Sequence, residues 1–280
     1  MKVVLFCGGL GMRMRGADTS APKPMMPIGE RPVLWHVMRY YAHFGHTEFI
    51  LCLGYGATAV KNYFLHYEET ASNDFVLRDG GRDVELLDSD IRDWKITFVD
   101  TGHDTAIGER LRRVRKFLDG DELFLANYGD VLTDAPLDEM VSSVSGTPDV
   151  VGTMLAVAPT GSFHVVQTDG DGKVTGFVPA VDLNVRINGG YFVLRQAIFD
   201  YLNAGEDLVG DACVRAAAAG RLNAYRYDGF WAPMDTLKER LELEELLKSG
   251  KAPWTRWSGA SASAIGATVA LDVADPAARA

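Results

Sequence analysis

The sequence predicts an α/β fold: a doubly wound, mostly parallel sheet with a small antiparallel elaboration in its second half. Three observations carry that prediction. Val3 to Cys7 is a short, continuous apolar run ending on Gly8-Gly9, the pattern of a strand buried on both faces. Strand-like and helix-like segments then alternate, the rhythm of βαβ units with right-handed crossovers. Finally, Phe163 to Val178 alternates apolar with polar residues about Asp169-Gly170-Asp171-Gly172, which reads as a hairpin.

In chain order, a glycine-rich loop follows the first strand. Val33, Leu34, Val37, Met38 and Tyr41 then recur at helical spacing, with Pro32 suited to a first turn. Phe49 to Leu53 is a second strand and Ala57 to Tyr67 a second helix. Residues 68–93 are polar and acidic, an excursion or hairpin turning at Asp79-Gly80-Gly81. Lys95 to Val99 is a strand, Glu109 to Leu118 a basic helix, Glu122 to Asn127 a strand, Pro136 to Val144 a helix and Asp149 to Val157 a strand. After the hairpin, Gly189-Gly190 opens a strand, Tyr191 to Leu194, that leads into a helix through Leu202. Val209 to Ala219 is an alanine-rich helix, Asn223 to Tyr227 a strand, and Thr236 to Lys248 an amphipathic helix. Residues 1–257 form one continuous domain; 258–280 is rich in Ala, Ser and Gly, the composition of a flexible tail.

Composition narrows the classes of function. The net charge of -10 opposes binding to nucleic-acid backbones or anionic membranes. It leaves phosphorylated small molecules open, because such a site needs only a few local cations. The three cysteines, Cys7, Cys52 and Cys213, are widely spaced and form no CxxC pair, so free thiols in a reducing compartment are expected rather than disulfides. No run reaches the roughly 18 apolar residues of a membrane span, and the N-terminal apolar stretch is short for a signal peptide. A cytoplasmic protein is expected.

Four elements carry chemistry. Gly8-Gly9-Leu10-Gly11-Met12-Arg13 directly follows the first strand. Glycines let backbone N–H groups approach a phosphate closely, and Arg13 adds a fork that matches phosphate geometry. The spacing is neither GxGxxG nor GxxxxGK[ST], which sets aside a dinucleotide fold and a P-loop. In Pro22-Lys23-Pro24-Met25, two prolines are expected to hold the backbone around Lys23 extended, so that its ammonium can meet a phosphoryl group. Tyr128-Gly129-Asp130 ends an apolar strand, where ligands of open α/β sheets sit, and a carboxylate there suits Mg²⁺. In Trp231-Ala232-Pro233-Met234-Asp235-Thr236, Asp235 precedes a helix. It is either an N-cap or a second carboxylate for the same metal.

In this order and spacing, the four elements resemble the sugar nucleotidyltransferases, and within them the bacterial glucose-1-phosphate cytidylyltransferases. The resemblance spans about residues 1–257 and includes Pro32-Val33-Leu34-Trp35-His36, Val99-Asp100-Thr101-Gly102, Arg110-Leu111-Arg112-Arg113-Val114, Ile187-Asn188-Gly189-Gly190 and Gly250-Lys251-Ala252-Pro253-Trp254. It implies a Rossmann-like nucleotidyltransferase sheet, and transfer of CMP from CTP to a sugar 1-phosphate with release of pyrophosphate. The segment Phe6, Cys7, Gly8, Gly9, Leu10, Gly11, Met12 and Arg13 would embrace the nucleotide. Lys23 would contact its phosphates, Thr105 and Arg110 would help hold it, and Gly129 would lie against it. Asp130 and Asp235 would bind Mg²⁺, Asn188 would reach a sugar hydroxyl, and Arg13, Lys23 and Asp130 would carry the catalysis. A homo-oligomer is also implied.

The chain departs from the family pattern at several places. Met12 stands where relatives have threonine, and Glu109 ends a segment, Ala106-Ile107-Gly108-Glu109, where relatives carry a threonine and a second glycine. The Glu-Lys-Pro that normally follows the hairpin is replaced by Phe177-Val178-Pro179-Ala180-Val181-Asp182, removing the lysine that helps bind the sugar phosphate; Arg186 is a candidate substitute. Phe163-His164-Val165 replaces a phenylalanine–glycine pair beside the sugar. Two readings stay open on sequence alone: an active cytidylyltransferase with an altered sugar 1-phosphate, or a homologue that binds nucleotide or nucleotide sugar without turnover.

Overall fold

The computed structural model describes residues 1–8, 21–159 and 164–255. A seven-stranded sheet runs through it. The strands are β1 (Lys2–Phe6), β2 (Glu48–Leu53), β3 (Lys95–Asp100), β4 (Leu123–Asn127), β5 (Gly152–Val157), β6 (Ile187–Arg195) and β7 (Leu222–Tyr227), ordered β7-β5-β6-β4-β1-β2-β3. Every neighbouring pair is parallel except β6 with β4 and with β5, so only β6 is reversed. The predicted mostly parallel α/β sheet is what forms.

The alternation along β1 explains why both faces are covered. Val3 and Leu5 point into one core and Val4 and Phe6 into the other, all of them buried. The α-helices of the described residues are α1 (Val33–His43), α2 (Ala57–Leu65), α3 (Ile107–Val114), α4 (Leu137–Ser145), α5 (Val214–Ala218) and α6 (Leu237–Lys248). On the first face pack α1, α4 and α6, through Val37, Met140 and Leu243 among others. On the second pack α3 (Ile107–Val114) and residues 198–216, through Leu111, Val114, Ile198 and Ala212.

The elaborations are short antiparallel pairs. His164–Thr168 pairs with Val174–Pro179, as the alternation predicts, and the 68–93 excursion holds the hairpin Phe75–Arg78 with Asp83–Leu86. Several helical spans are tighter or looser than their periodicity suggests. The helix expected over Glu109 to Leu118 starts at Ile107 and closes as a 3₁₀ turn after Val114. The helix through Leu202 is a 3₁₀ segment, Gln196–Tyr201, and the alanine-rich one begins as a π turn, Leu208–Cys213, before five α-helical residues. Pro32 is the N-cap of α1 rather than part of its first turn. The tail from 258 lies outside the described residues.

Candidate active site

The chain order reverses between β1 and β4: β2 and β3 lie to one side of β1, and β4, β6, β5 and β7 to the other. In an open α/β sheet, the crevice beyond the carboxyl ends of such strands is where ligands bind. There Phe6-Cys7-Gly8 leaves β1 and Tyr128-Gly129-Asp130 leaves β4. They wall a cavity of about 530 Å³ shared with Lys23, Asn188, Trp231 and Asp235.

A second, smaller ladder brings the late aspartate to the early one. Val131–Thr133 pairs antiparallel with Trp231–Pro233, Pro233 opposite Val131. The ladder is extended by a hydrogen bond from the Met234 N–H to the Asp130 carbonyl at 3.1 Å. Asp130 and Asp235 therefore emerge together at one end of the ladder. Buried tyrosines anchor it from below: the Tyr191 hydroxyl donates to the Val131 carbonyl at 2.7 Å and the Tyr40 hydroxyl to the Ala135 carbonyl at 2.8 Å. Thr133 and Asp134 tie the other end, donating to the Phe230 carbonyl and accepting from the Phe230 N–H.

Lys23 completes the cluster. Its Nζ lies 2.6 Å from Asp130 Oδ2 and also pairs with Asp235 Oδ1. The backbone there is a 3₁₀ turn, Lys23–Met25, not the extended segment expected from the two prolines. Pro22 sits just outside that turn and Pro24 inside it, and the Met25 N–H closes on the Pro22 carbonyl at 2.8 Å. Burial opposes the Lys23 charge, but Asp130 and Asp235 outweigh it and hold the ammonium above its usual range. Burial pushes the Asp130 carboxyl up, and Lys23 works against that shift. Lys23 is the one cationic side chain among the described residues that line the cavity.

Asp235 is not the N-cap of α6. Thr236 is, with a complete capping box to Glu239. The Asp235 side chain is thereby left to face Lys23. The motif Thr236-Leu237-Lys238-Glu239 carries the S/T-x-x-E signature, the local signal that places the cap on Thr236.

Arg110 is buried, and its guanidinium is committed to the scaffold. It donates to the carbonyls of Leu53, His103 and Thr105 and to Thr101 Oγ1, over 2.8–3.2 Å. It lies directly under Gly8, where a Cβ would come within 2.3 Å of Nη1, and it touches Gly54 as well. Arg110 thus sits behind the β1 loop, and neither it nor Thr105 lines the cavity. Gly129 adopts φ +77°, a left-handed turn suited to glycine, and backs onto the Phe6 carbonyl and Cys7. Asn188 lines the cavity, its Nδ2 donating to the Tyr128 hydroxyl at 2.9 Å. Gly9, Leu10, Gly11, Met12 and Arg13 lie outside the described residues.

Two charged residues flagged by the sequence point elsewhere. The Glu109 carboxylate accepts from Arg112, Arg113 and the Gly205 N–H, and these bonds hold it down at about 2. Arg186 pairs with Asp228 at 2.6 Å and with the Tyr227 carbonyl, and it does not line the cavity. The cavity-lining residues that lie outside the motifs of the sequence are Val131 and Glu239.

Comparison with known proteins gives a consistent picture. A family model described as nucleotidyl transferase matches residues 2–248. The chain is 36% identical over 259 residues to a probable glucose-1-phosphate cytidylyltransferase of Bacillus subtilis strain 168, covering 92% of this chain and 100% of that one. It is 35% identical over 260 residues to a glucose-1-phosphate cytidylyltransferase of Salmonella typhi, again covering 92% and 100%. Among solved structures, a putative glucose-1-phosphate thymidylyltransferase from Bacillus anthracis, in complex with a sucrose, aligns with a TM-score of 0.64 at 16% identity, over 88% of this chain and 94% of that one. HddC from Yersinia pseudotuberculosis aligns with a TM-score of 0.60 at 18% identity, over 88% and 99%. At those identities the two structures speak to the fold alone.

Proposed function

The chain belongs to the nucleotidyl transferase family and is an enzyme of that class, and from this premise we propose that it transfers CMP from CTP to a sugar 1-phosphate, glucose 1-phosphate or a close relative, releasing pyrophosphate. The observation that carries the proposal is the convergence of Lys23, Asp130 and Asp235 in the cavity beside Phe6, Cys7 and Gly8. The choice of CTP and of glucose rests on the names of the 35–36% identical relatives.

The attacking group in such a reaction is a phosphate oxygen, ionised at neutral pH, so no side chain need act as a base. The work left to the protein is alignment of two phosphates and stabilisation of the charge passed to the leaving pyrophosphate. Phe6, Cys7 and Gly8 shape the nucleotide end. Lys23 supplies a fixed positive charge at the point where the phosphates meet, held by the 3₁₀ turn on one side and its two carboxylates on the other. Removing a contact of this kind costs about 3 kcal/mol or more in the transition state.

Asp130 and Asp235 also fit a divalent ion. Both direct a carboxylate oxygen at one cationic atom, Lys23 Nζ, and an oxygen-only set with room for phosphates suits Mg²⁺. Asp130 and Asp235 would hold Mg²⁺ there, and the ion would supply charge neutralisation for the phosphates.

The test is a pyrophosphate-release panel of CTP, UTP, dTTP, ATP and GTP against several sugar 1-phosphates with Mg²⁺. CTP with glucose 1-phosphate, or with a close analogue, should stand out. Release with another nucleotide alone would overturn the base assignment. Silence across the panel, with tight CTP binding, would favour a binding protein.

A further inference from the structure

We propose that Glu239 is a positioning residue: it fixes the backbone of Asp235 and so aims that carboxylate at the metal and Lys23. The proposal rests on Asp235 acting as a metal ligand, as argued above.

In an ordinary capping box, the glutamate at the third helical position accepts from the N–H of the N-cap residue alone. Here one oxygen does more. Glu239 Oε2 accepts from the Thr236 N–H at 2.8 Å and from the Asp235 N–H, also at 2.8 Å. Those two N–H groups flank the Asp235 Cα, so a single oxygen holding both restricts φ and ψ at that residue. The chain just before is fixed too, since the Met234 N–H bonds to the Asp130 carbonyl. Asp235 is therefore clamped between the metal-side ladder and the first turn of α6. From that fixed backbone its carboxylate reaches Lys23.

Glu239 is half-buried and lines the cavity, so the clamp is part of the site wall and not a distant helix end. Its carboxylate meets two backbone donors at the start of α6. Thr236, by contrast, contributes only its side-chain oxygen to the Glu239 N–H, at 3.2 Å. Loss of that half of the box weakens the helix cap but leaves both bonds from Glu239 to the Asp235 region in place. This asymmetry separates a positioning role from a merely structural one.

The test compares Glu239→Ala, Glu239→Gln, Thr236→Ala and Asp235→Ala in the full chain. Mn²⁺ affinity is read by electron paramagnetic resonance in saturating CTP, alongside the thermal midpoint and the Mg²⁺ dependence of turnover. Thr236→Ala and Glu239→Ala should lower the midpoint alike. Only Glu239→Ala should also weaken Mn²⁺ binding, by about tenfold or more, the usual cost of losing a group that orients a metal ligand. Glu239→Gln keeps an acceptor oxygen and should restore most of that affinity. Equal Mn²⁺ affinity in Glu239→Ala and Thr236→Ala would overturn the proposal, as would a Gln variant no better than Ala. Asp235→Ala is the check on the underlying reading: Mn²⁺ binding unchanged in that variant would remove Asp235 as a ligand, whatever Glu239 does.

Discussion

Lys23 Nζ sits 2.6 Å from Asp130 Oδ2, and the same ammonium reaches Asp235, 212 positions further along the chain than Lys23. One lysine thus ties the first quarter of the chain to the end of β4 and to the start of α6. The geometry requires the 131–133 and 231–233 ladder, because no local interaction could hold two such distant carboxylates on one cation.

Gly8→Ala tests how closely the β1 loop rests on its support. The added Cβ would lie 2.3 Å from Arg110 Nη1 and 2.8 Å from the Gly54 backbone nitrogen. The expected result is a loss of about 1–3 kcal/mol in urea unfolding, with weakened CTP binding by calorimetry. Gly170→Ala, with nothing within 4 Å of its Cβ, is the control and should behave as wild type.

Arg110→Met removes the donors for the Leu53, His103 and Thr105 carbonyls and for Thr101 Oγ1. The Leu53 carbonyl keeps the N–H and hydroxyl of Thr101, but the His103 and Thr105 carbonyls lose this donor; at about 1–3 kcal/mol for each, a fall of at least about 2 kcal/mol is expected in chemical denaturation. A variant as stable as wild type with reduced CTP affinity would mean that the guanidinium serves the ligand and not the scaffold.

His36 predicts an acid-sensitive fold. Its Nε2 lies 3.0 Å from the Ile28 carbonyl and Trp254 Nε1 donates to its Nδ1, so the buried ring is held neutral. Burial lowers its pKa from 6.5 to about 4, with the Arg31 charge adding to that. Above 6.5 neither folded nor unfolded chain carries this proton. Below it the unfolded chain takes up a proton that the folded ring refuses until about 4, so stability is lost as pH falls through that window. One proton of difference amounts to about 1.4 kcal/mol per pH unit. Urea unfolding across the window should show a shallower pH slope in His36→Gln. His46, also lowered to about 4 by burial and by the N-terminal ammonium, contributes in the same direction in both proteins. Equal slopes would remove His36 from the explanation.

Much of this could be read from the residues alone, and the reasons differ by element. The buried run Val3 to Phe6 and the strand before Asp130 announce themselves, because a strand covered on both faces must be apolar throughout. Lys23 and the two aspartates were legible as motif elements, yet nothing local in the sequence says they touch. That depends on a three-residue ladder with no periodicity to detect. At Lys23 the flanking prolines suggest extended backbone and a 3₁₀ turn forms instead, because proline fixes φ but leaves ψ open. Asp235 is open on sequence to a cap or a metal role, since aspartate and threonine are both good caps, and the glutamate three residues after Thr236 places the cap on Thr236. Arg110 was visible as a charge in a basic run. Its burial follows from four acceptors brought together by β2 and the loop between β3 and α3, which tertiary structure alone supplies.

The most direct measurement is pyrophosphate release from CTP and glucose 1-phosphate by wild type, Lys23→Ala and Asp130→Ala, each checked for native circular dichroism. Both variants should fold, with turnover lower by at least about a hundredfold, the scale of about 3 kcal/mol in the transition state. Near-normal release by either folded variant would contradict the catalytic role of Lys23 and Asp130.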